Sequence, residues 1–126
     1  MAFTDYLENK LVAHTFSNTA YTSPTTVYVA LYTVAPTDST SGTEVSGGAY
    51  ARQSAAFTTT GNAATNSAAI EYPTATASYG TVVAVAILDA SSGGNMLAYA
   101  SLASNKTIDT GDVFRIPAGD LDITLD

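Results

Sequence analysis

Hydrophobic and polar positions alternate along most of the chain, but the first 15 residues follow a longer period. Thr4 can cap a helix, and Leu7 and Leu11 follow it on one face at helical spacing. The pattern therefore predicts one short N-terminal helix over about residues 4–14.

Beyond this segment the period shortens to two, which is typical of β-strands. In TTVYVALYTV, Val27 and Val29 fall on one face, and Tyr28 and Tyr32 fall on the other. Predicted strands cover residues 25–34, 49–57, 68–72, 81–89, 95–102, 113–116 and 121–125. The nearly continuous apolar run TVVAVAILD is predicted to be a central strand. The polar stretch 58–67 is predicted to be a loop or an irregular edge, and 105–112 is predicted to be a loop.

About seven strands with turn chemistry between them indicate a mainly β fold. We expect a small antiparallel β-sandwich or barrel with one short N-terminal helix, in a single domain over residues 1–126. The βαβ alternation of nucleotide-binding folds is absent from the pattern.

The net charge of the chain limits the kinds of partner that it is expected to bind. The sequence has four basic and 11 acidic residues, with a net charge of −7. Without a basic cluster, binding to nucleic acid or to an anionic membrane surface is disfavoured. The sequence has no cysteine, no secretory leader pattern and no run of roughly 20 apolar residues, so it predicts neither a disulfide nor a bilayer span.

The stretch GTEVSGGAYARQ at 42–53 invites comparison with a phosphate-binding loop. Gly42 and Gly47 have the P-loop spacing, but Gly48 stands where the lysine should be and Ala49 where the hydroxyl should be. We therefore predict a turn or bulge with positive φ at the two adjacent glycines, leading into a strand.

Arg52 and two tyrosines are the other candidates for a functional role. Arg52 is predicted to pair with Glu44 or Glu71, or to face a partner protein. Tyr28 and Tyr32 either belong to a second core or form a contact patch, since tyrosine is enriched at interfaces.

Catalytic and metal chemistry have weak candidates. His14 is the only histidine, lies at the end of the predicted helix and has no G-x-S-x-G motif to accompany it. Asp120, Asp122 and Asp126 share one strand face, which raises a calcium hypothesis. The apolar residues between them also predict an ordinary half-buried strand, so no cofactor is predicted.

Five blocks in this order resemble a family of small tailed-bacteriophage proteins, often labelled tail-fibre or virion structural proteins. The resemblance runs from residue 3 to the C-terminus, and no single block has a mechanism attached. The blocks are DYLENKLVAH, VYVALYTVAPTD, GTEVSGGAYARQ, SYGTVVAVAILDASSGGNMLAYASL and GDVFRIPAGDLDITLD.

The resemblance implies a non-enzymatic virion component, present in the host cytoplasm during assembly and bound to the major capsid protein or to tail proteins. Further copies of the same chain, in a homo-oligomer, are another candidate partner. The chain has no heptad, collagen or β-helical repeat, so its compactness favours capsid decoration or cement over a fibre shaft. The alternatives are a receptor- or carbohydrate-binding module and a hydrolase.

Candidate docking elements follow from position along the chain. We expect the N-terminal helix and the glycine-rich loop to stand outside the sheets. The candidate interface residues are Gly47, Gly48, Arg52, Tyr28 and Tyr32.

Overall fold

The computed structural model describes residues 1–125, which form one helix and eleven β-strands. The helix α1 (Asp5–Phe16) lies between the first two strands. In chain order the strands are β1 (Ala2–Phe3), β2 (Val27–Val34), β3 (Thr43–Glu44), β4 (Gln53–Ala55), β5 (Phe57–Thr60), β6 (Ala63–Asn66), β7 (Ile70–Glu71), β8 (Gly80–Leu88), β9 (Met96–Ile108), β10 (Arg115–Ile116) and β11 (Asp122–Thr124).

Helix α1 has a defined cap at each end. It begins after Thr4, whose hydroxyl accepts a hydrogen bond from the Leu7 amide at 3.4 Å. The Ser17 amide donates to the Ala13 carbonyl at 3.0 Å where the helix ends. The helix predicted over 4–14 is confirmed, although none of its residues is fully buried. No helix in residues 1–125 has the length and apolar character needed to cross a bilayer.

The largest sheet has β2 and β8 at its centre. Its strand order is β1-β9-β8-β2, and β3 and β4 both pair with the remaining edge of β2, at different levels. All of these pairs are antiparallel, and Val29 lies opposite Ile87 with both side chains buried. The prediction of a central strand over 81–89 is therefore confirmed.

Two smaller sheets, β10-β7 and β11-β6-β5, complete the fold. Residues from these sheets and their loops share the main hydrophobic core with the large sheet. Tyr72 packs edge-on against Phe114, with ring centroids 5.8 Å apart, and its hydroxyl donates to the Val29 carbonyl at 2.7 Å. The mainly β architecture, a small antiparallel sandwich, agrees with the prediction.

Residues 58–67, predicted to be a polar loop or an irregular edge, form the hairpin of β5 and β6, with β5 at the edge of its sheet. Thr58 lies opposite Thr65, and Gly61 supplies the turn with φ of 59°. Threonine favours extended backbone even without an apolar stripe, so this hairpin gives little periodic signal.

Other boundaries also differ from the prediction. The segment 49–57 is not one strand, since regular pairing begins only at Gln53 and is divided between β4 and β5. The predicted loop over 105–112 is wrong in its first part, because β9 continues through Ile108. The predicted strands over 68–72, 113–116 and 121–125 shorten to β7, β10 and β11.

A second, smaller cluster lies on the opposite face of the large sheet. Its buried members are Ala30, Tyr32, Ala84, Ala86 and Leu88. The loop after β2 is attached near this face through Asp38. The Asp38 carbonyl accepts from the Asp5 amide at 3.1 Å, and its carboxylate accepts from the Tyr99 hydroxyl.

Candidate functional site

The glycine-rich loop is a tight turn, as predicted. Gly47 and Gly48 have φ of 76° and 61°, and Ala49 follows with φ of 70°. The Tyr50 amide donates to the Gly47 carbonyl at 3.0 Å. A side chain at Gly48 would approach the Ala77 carbonyl to 2.6 Å, so only glycine fits there.

Arg52 joins three segments of the chain. Its Nε and Nη2 donate to the two carboxylate oxygens of Glu44, at 2.9 and 2.8 Å. Its Nη1 donates to the carbonyl oxygens of Ala90 and Gly93, both at 2.8 Å. The side chain is only 9% exposed. The pairing with Glu44 is therefore confirmed over Glu71, which lies opposite Arg115 instead.

Tyr50 completes this cluster. Its hydroxyl donates to Glu44 at 2.7 Å and accepts from the Leu31 amide at 3.0 Å. Burial opposes ionisation of Glu44, but hydrogen bonds from Arg52 and Tyr50 outweigh it and hold the carboxyl pKa below its usual value. Burial and the hydrogen bond to Glu44 raise the Tyr50 pKa, so the phenol stays protonated. We call Arg52, Glu44 and Tyr50 the Arg52 clasp.

Tyr28 and Tyr32 point to the same face of the large sheet, opposite Val29, as predicted. Tyr32 is 3% exposed within the second cluster, and burial raises its pKa to about 12. Tyr28 is half-buried. The interface role proposed for these tyrosines, the two loop glycines and Arg52 stays a prediction.

The remaining polar candidates have structural partners. His14 Nδ1 accepts a hydrogen bond from the Tyr21 amide at 3.1 Å, which fixes the chain as it leaves the helix. Asp122 accepts from the Thr65 hydroxyl at 2.8 Å. Within residues 1–125 no group of three His, Asp or Glu side chains is placed to hold a metal ion, and Asp126 lies outside the described residues.

Exposed apolar side chains on α1 are the feature that sequence reasoning missed. Val12 is 58% exposed and Phe16 82% exposed, and their spacing of four residues places them on one helix face. Leu7 instead packs against the main core. A helical stripe in the sequence does not reveal which of its apolar residues faces the sheet.

The fold and its polar groups are those of a structural β-sandwich module. The Arg52 clasp stabilises the fold, and the apolar side chains of Val12 and Phe16 are exposed. The chain belongs to the family described as podophage GP4 fiber I protein gp80, whose model matches residues 2–124. It is therefore a structural protein of the phage virion, of the tail-fibre type, and the resemblance seen in the sequence is confirmed. No curated protein matches this chain.

Proposed function

We propose that this protein is a compact, non-enzymatic module of the tail-fibre apparatus, which docks on neighbouring tail proteins through helix α1. The main support for this proposal is the exposure of Val12 and Phe16 on α1, a helix whose N-terminal end is hydrogen-bonded to the large sheet. Residues 1–125 form a sandwich without a heptad, collagen or β-helical shaft repeat, which supports a docked module rather than a rod.

The base of α1 is fixed to the sheet. The Thr4 amide donates to the Leu97 carbonyl at 2.9 Å, and the Thr4 hydroxyl donates to the Met96 carbonyl at 2.6 Å. Thr4 itself is 4% exposed. The first turn is thus rigidly attached, and this orients the rest of the helix before any partner binds.

The distal half of α1 presents a helix-in-groove binding pattern. Apolar anchors at positions i and i+4 insert side by side into a partner's groove, and an aromatic anchor contributes most of the binding energy in such contacts. Phe16 and Val12 have this spacing. Their exposure in the free chain favours a protein partner that covers them in the particle.

The polar groups support a role without catalysis. The only histidine is bonded at the end of α1, and the carboxylate with a clearly shifted pKa, Glu44, is fully engaged in the Arg52 clasp. Membership in a family of fiber proteins favours tail proteins as partners over the capsid lattice that compactness alone had favoured. The protein would be made in the host cytoplasm and then assembled into the virion.

The test removes the two anchors and compares the result with a matched surface change. The variant V12T/F16S is compared with V34T/L125S, since Val34 and Leu125 are exposed to 56% and 53% elsewhere on the fold. Both variants are supplied to phage lacking the chain, and purified particles are assayed by quantitative mass spectrometry.

We expect both variants to fold with wild-type thermal stability. Incorporation of V12T/F16S falls several-fold, whereas incorporation of V34T/L125S stays at the wild-type level. Wild-type incorporation of a folded V12T/F16S would rule out docking through α1.

A further inference from the structure

An apolar groove lies between β9 and the chain segment 114–122. It has a volume of about 560 Å³. Met1, Leu102, Phe114 and Leu121 contribute its apolar lining. The groove is large enough to admit several side chains of a partner but is open along its length.

One wall of the groove is an unpaired strand edge. β1 covers β9 only at Ala98 and Tyr99, so beyond Tyr99 the paired residues of β9 (100, 101 and 106–108) pair with β8 alone among the described strands. A bulge interrupts this edge. Val82 pairs with Lys106 and Ala84 with Ser101, which leaves residues 102–105 opposite Val83. Such an irregularity in the register limits long, indiscriminate pairing of this edge with other strands.

The two ends of the groove differ in charge. Lys106 and Arg115 are exposed at one end, and neither has a salt-bridge partner within residues 1–125. Asp112 lines the adjoining hollow with them, but its carboxylate accepts from the Asp109 amide at 2.9 Å, and Glu71 lies opposite Arg115 on β7. Asp122 lies at the other end, where the Met1 amino group donates to its carbonyl oxygen at 3.4 Å. Asp120 also lines the groove. Two of the four basic residues of a chain with net charge −7 therefore meet at one end of one groove.

We propose that this groove binds a short extended segment of a neighbouring tail protein, with an acidic side chain at the Lys106–Arg115 end and apolar side chains along the floor. The inference rests on the proposed docking function and adds a second contact to the one at α1. Charge complementarity favours this occupant, because Lys106 and Arg115 have no salt-bridge partner within residues 1–125 and can each pair with an acidic side chain. Asp120 and Asp122 at the opposite end outnumber the Met1 amino group there and so disfavour the reversed orientation.

A cross-linking experiment identifies the occupant directly. The exposed residue Ser104 lines the groove, and Thr58 is exposed on β5, outside the groove. Particles are assembled with Ser104→p-benzoylphenylalanine or Thr58→p-benzoylphenylalanine, irradiated, and analysed by mass spectrometry. We expect the Ser104 adduct to be a tail-protein segment that contains Asp or Glu, with far less adduct from Thr58.

The outcomes separate the two proposals. Two outcomes would overturn the groove inference alone. In one, Ser104 forms adducts only with another copy of this chain. In the other, particles contain the chain but give no more adduct from Ser104 than from Thr58. Absence of the unlabelled wild-type chain from particles would overturn both proposals.

A charge reversal tests the assigned orientation. Lys106→Glu is compared with Thr58→Glu, because Thr58 is exposed on β5, outside both the groove and α1. We expect Lys106→Glu to reduce the Ser104 adduct several-fold at low salt, with a smaller difference at high salt, while Thr58→Glu leaves it unchanged. Equal yields from both variants would contradict the assigned polarity of the groove.

Discussion

At the scale of single residues, Arg52 connects parts of the chain that are distant in sequence. Its guanidinium bonds to Glu44 on β3 and to two carbonyl oxygens of the turn between β8 and β9. The turn carbonyls would otherwise need water, and Glu44 would be a half-buried carboxylate without a cation. The Arg52 clasp therefore explains why an arginine follows the glycine-rich loop: it neutralises Glu44 and hydrogen-bonds to the turn between β8 and β9.

Truncation of Arg52 is expected to destabilise the fold. Arg52→Ala leaves Glu44 without its bidentate partner, and we expect the free energy of unfolding to fall by about 2 kcal/mol. Arg115→Ala removes an exposed arginine that has no salt bridge within residues 1–125, and should change the free energy of unfolding by less than about 0.5 kcal/mol. Urea denaturation measures both, and equal losses in the two variants would contradict the role given to the clasp.

Glu44 predicts a dependence of stability on pH. Its pKa in the folded chain lies below the ordinary value of 4.5, so its ionised form contributes stability that is fully present above pH 4.5. That contribution is lost as the pH falls through the folded-state pKa. The stability advantage of the wild type over Glu44→Gln should therefore be constant near neutrality and shrink below pH 4.5. Thermal unfolding at several pH values tests this, and an advantage that grows in acid would contradict it.

At the scale of elements, Thr4 links the start of α1 to the large sheet. It caps the helix and also bonds to the strand carbonyl oxygens of Met96 and Leu97. Thr4→Ala removes all of these contacts, and we expect a loss of about 2 kcal/mol. Thr4→Ser keeps the hydroxyl and should lose much less. Guanidinium denaturation distinguishes the two, and equal destabilisation would show that the methyl group, not the cap, matters.

The sequence predicted the elements that have strong periodicity or continuous apolar character. The run at 81–89 became β8, and the capped stripe near the N-terminus became α1, because burial and capping leave direct marks on residue choice. The hairpin of β5 and β6 escaped prediction because its threonines and alanines carry little hydrophobic contrast. The end of β9 escaped for the same reason, since Asn105 and Lys106 are polar and exposed there.

The candidate surfaces were less predictable than the fold. From the sequence, Arg52 could pair with Glu44, pair with Glu71 or face a partner protein. Glu44 was a candidate because it lies eight positions from Arg52 beside a turn. The exposure of Phe16 depends on which way α1 faces. The groove is built from Met1, Leu102 and Leu121, which only the tertiary fold brings together.

At the scale of the whole molecule, the protein is an acidic module with exposed apolar side chains on α1 and a groove whose two cations have no salt bridge within residues 1–125. A net charge of −7 opposes close association of copies unless specific contacts offset the repulsion. The contacts proposed at α1 and in the groove would suit attachment to other tail proteins at a limited number of places. The same module would need many equivalent sites if it decorated the capsid lattice.

Copy number per virion tests the central claim most directly. Quantitative mass spectrometry of purified particles gives the ratio of this chain to the major capsid protein. We predict from a few to a few dozen copies per particle, as expected for a component of the tail-fibre apparatus. A ratio near one, or a simple fraction of one, would contradict the tail assignment in favour of capsid decoration, and absence from the particle would contradict the virion role itself.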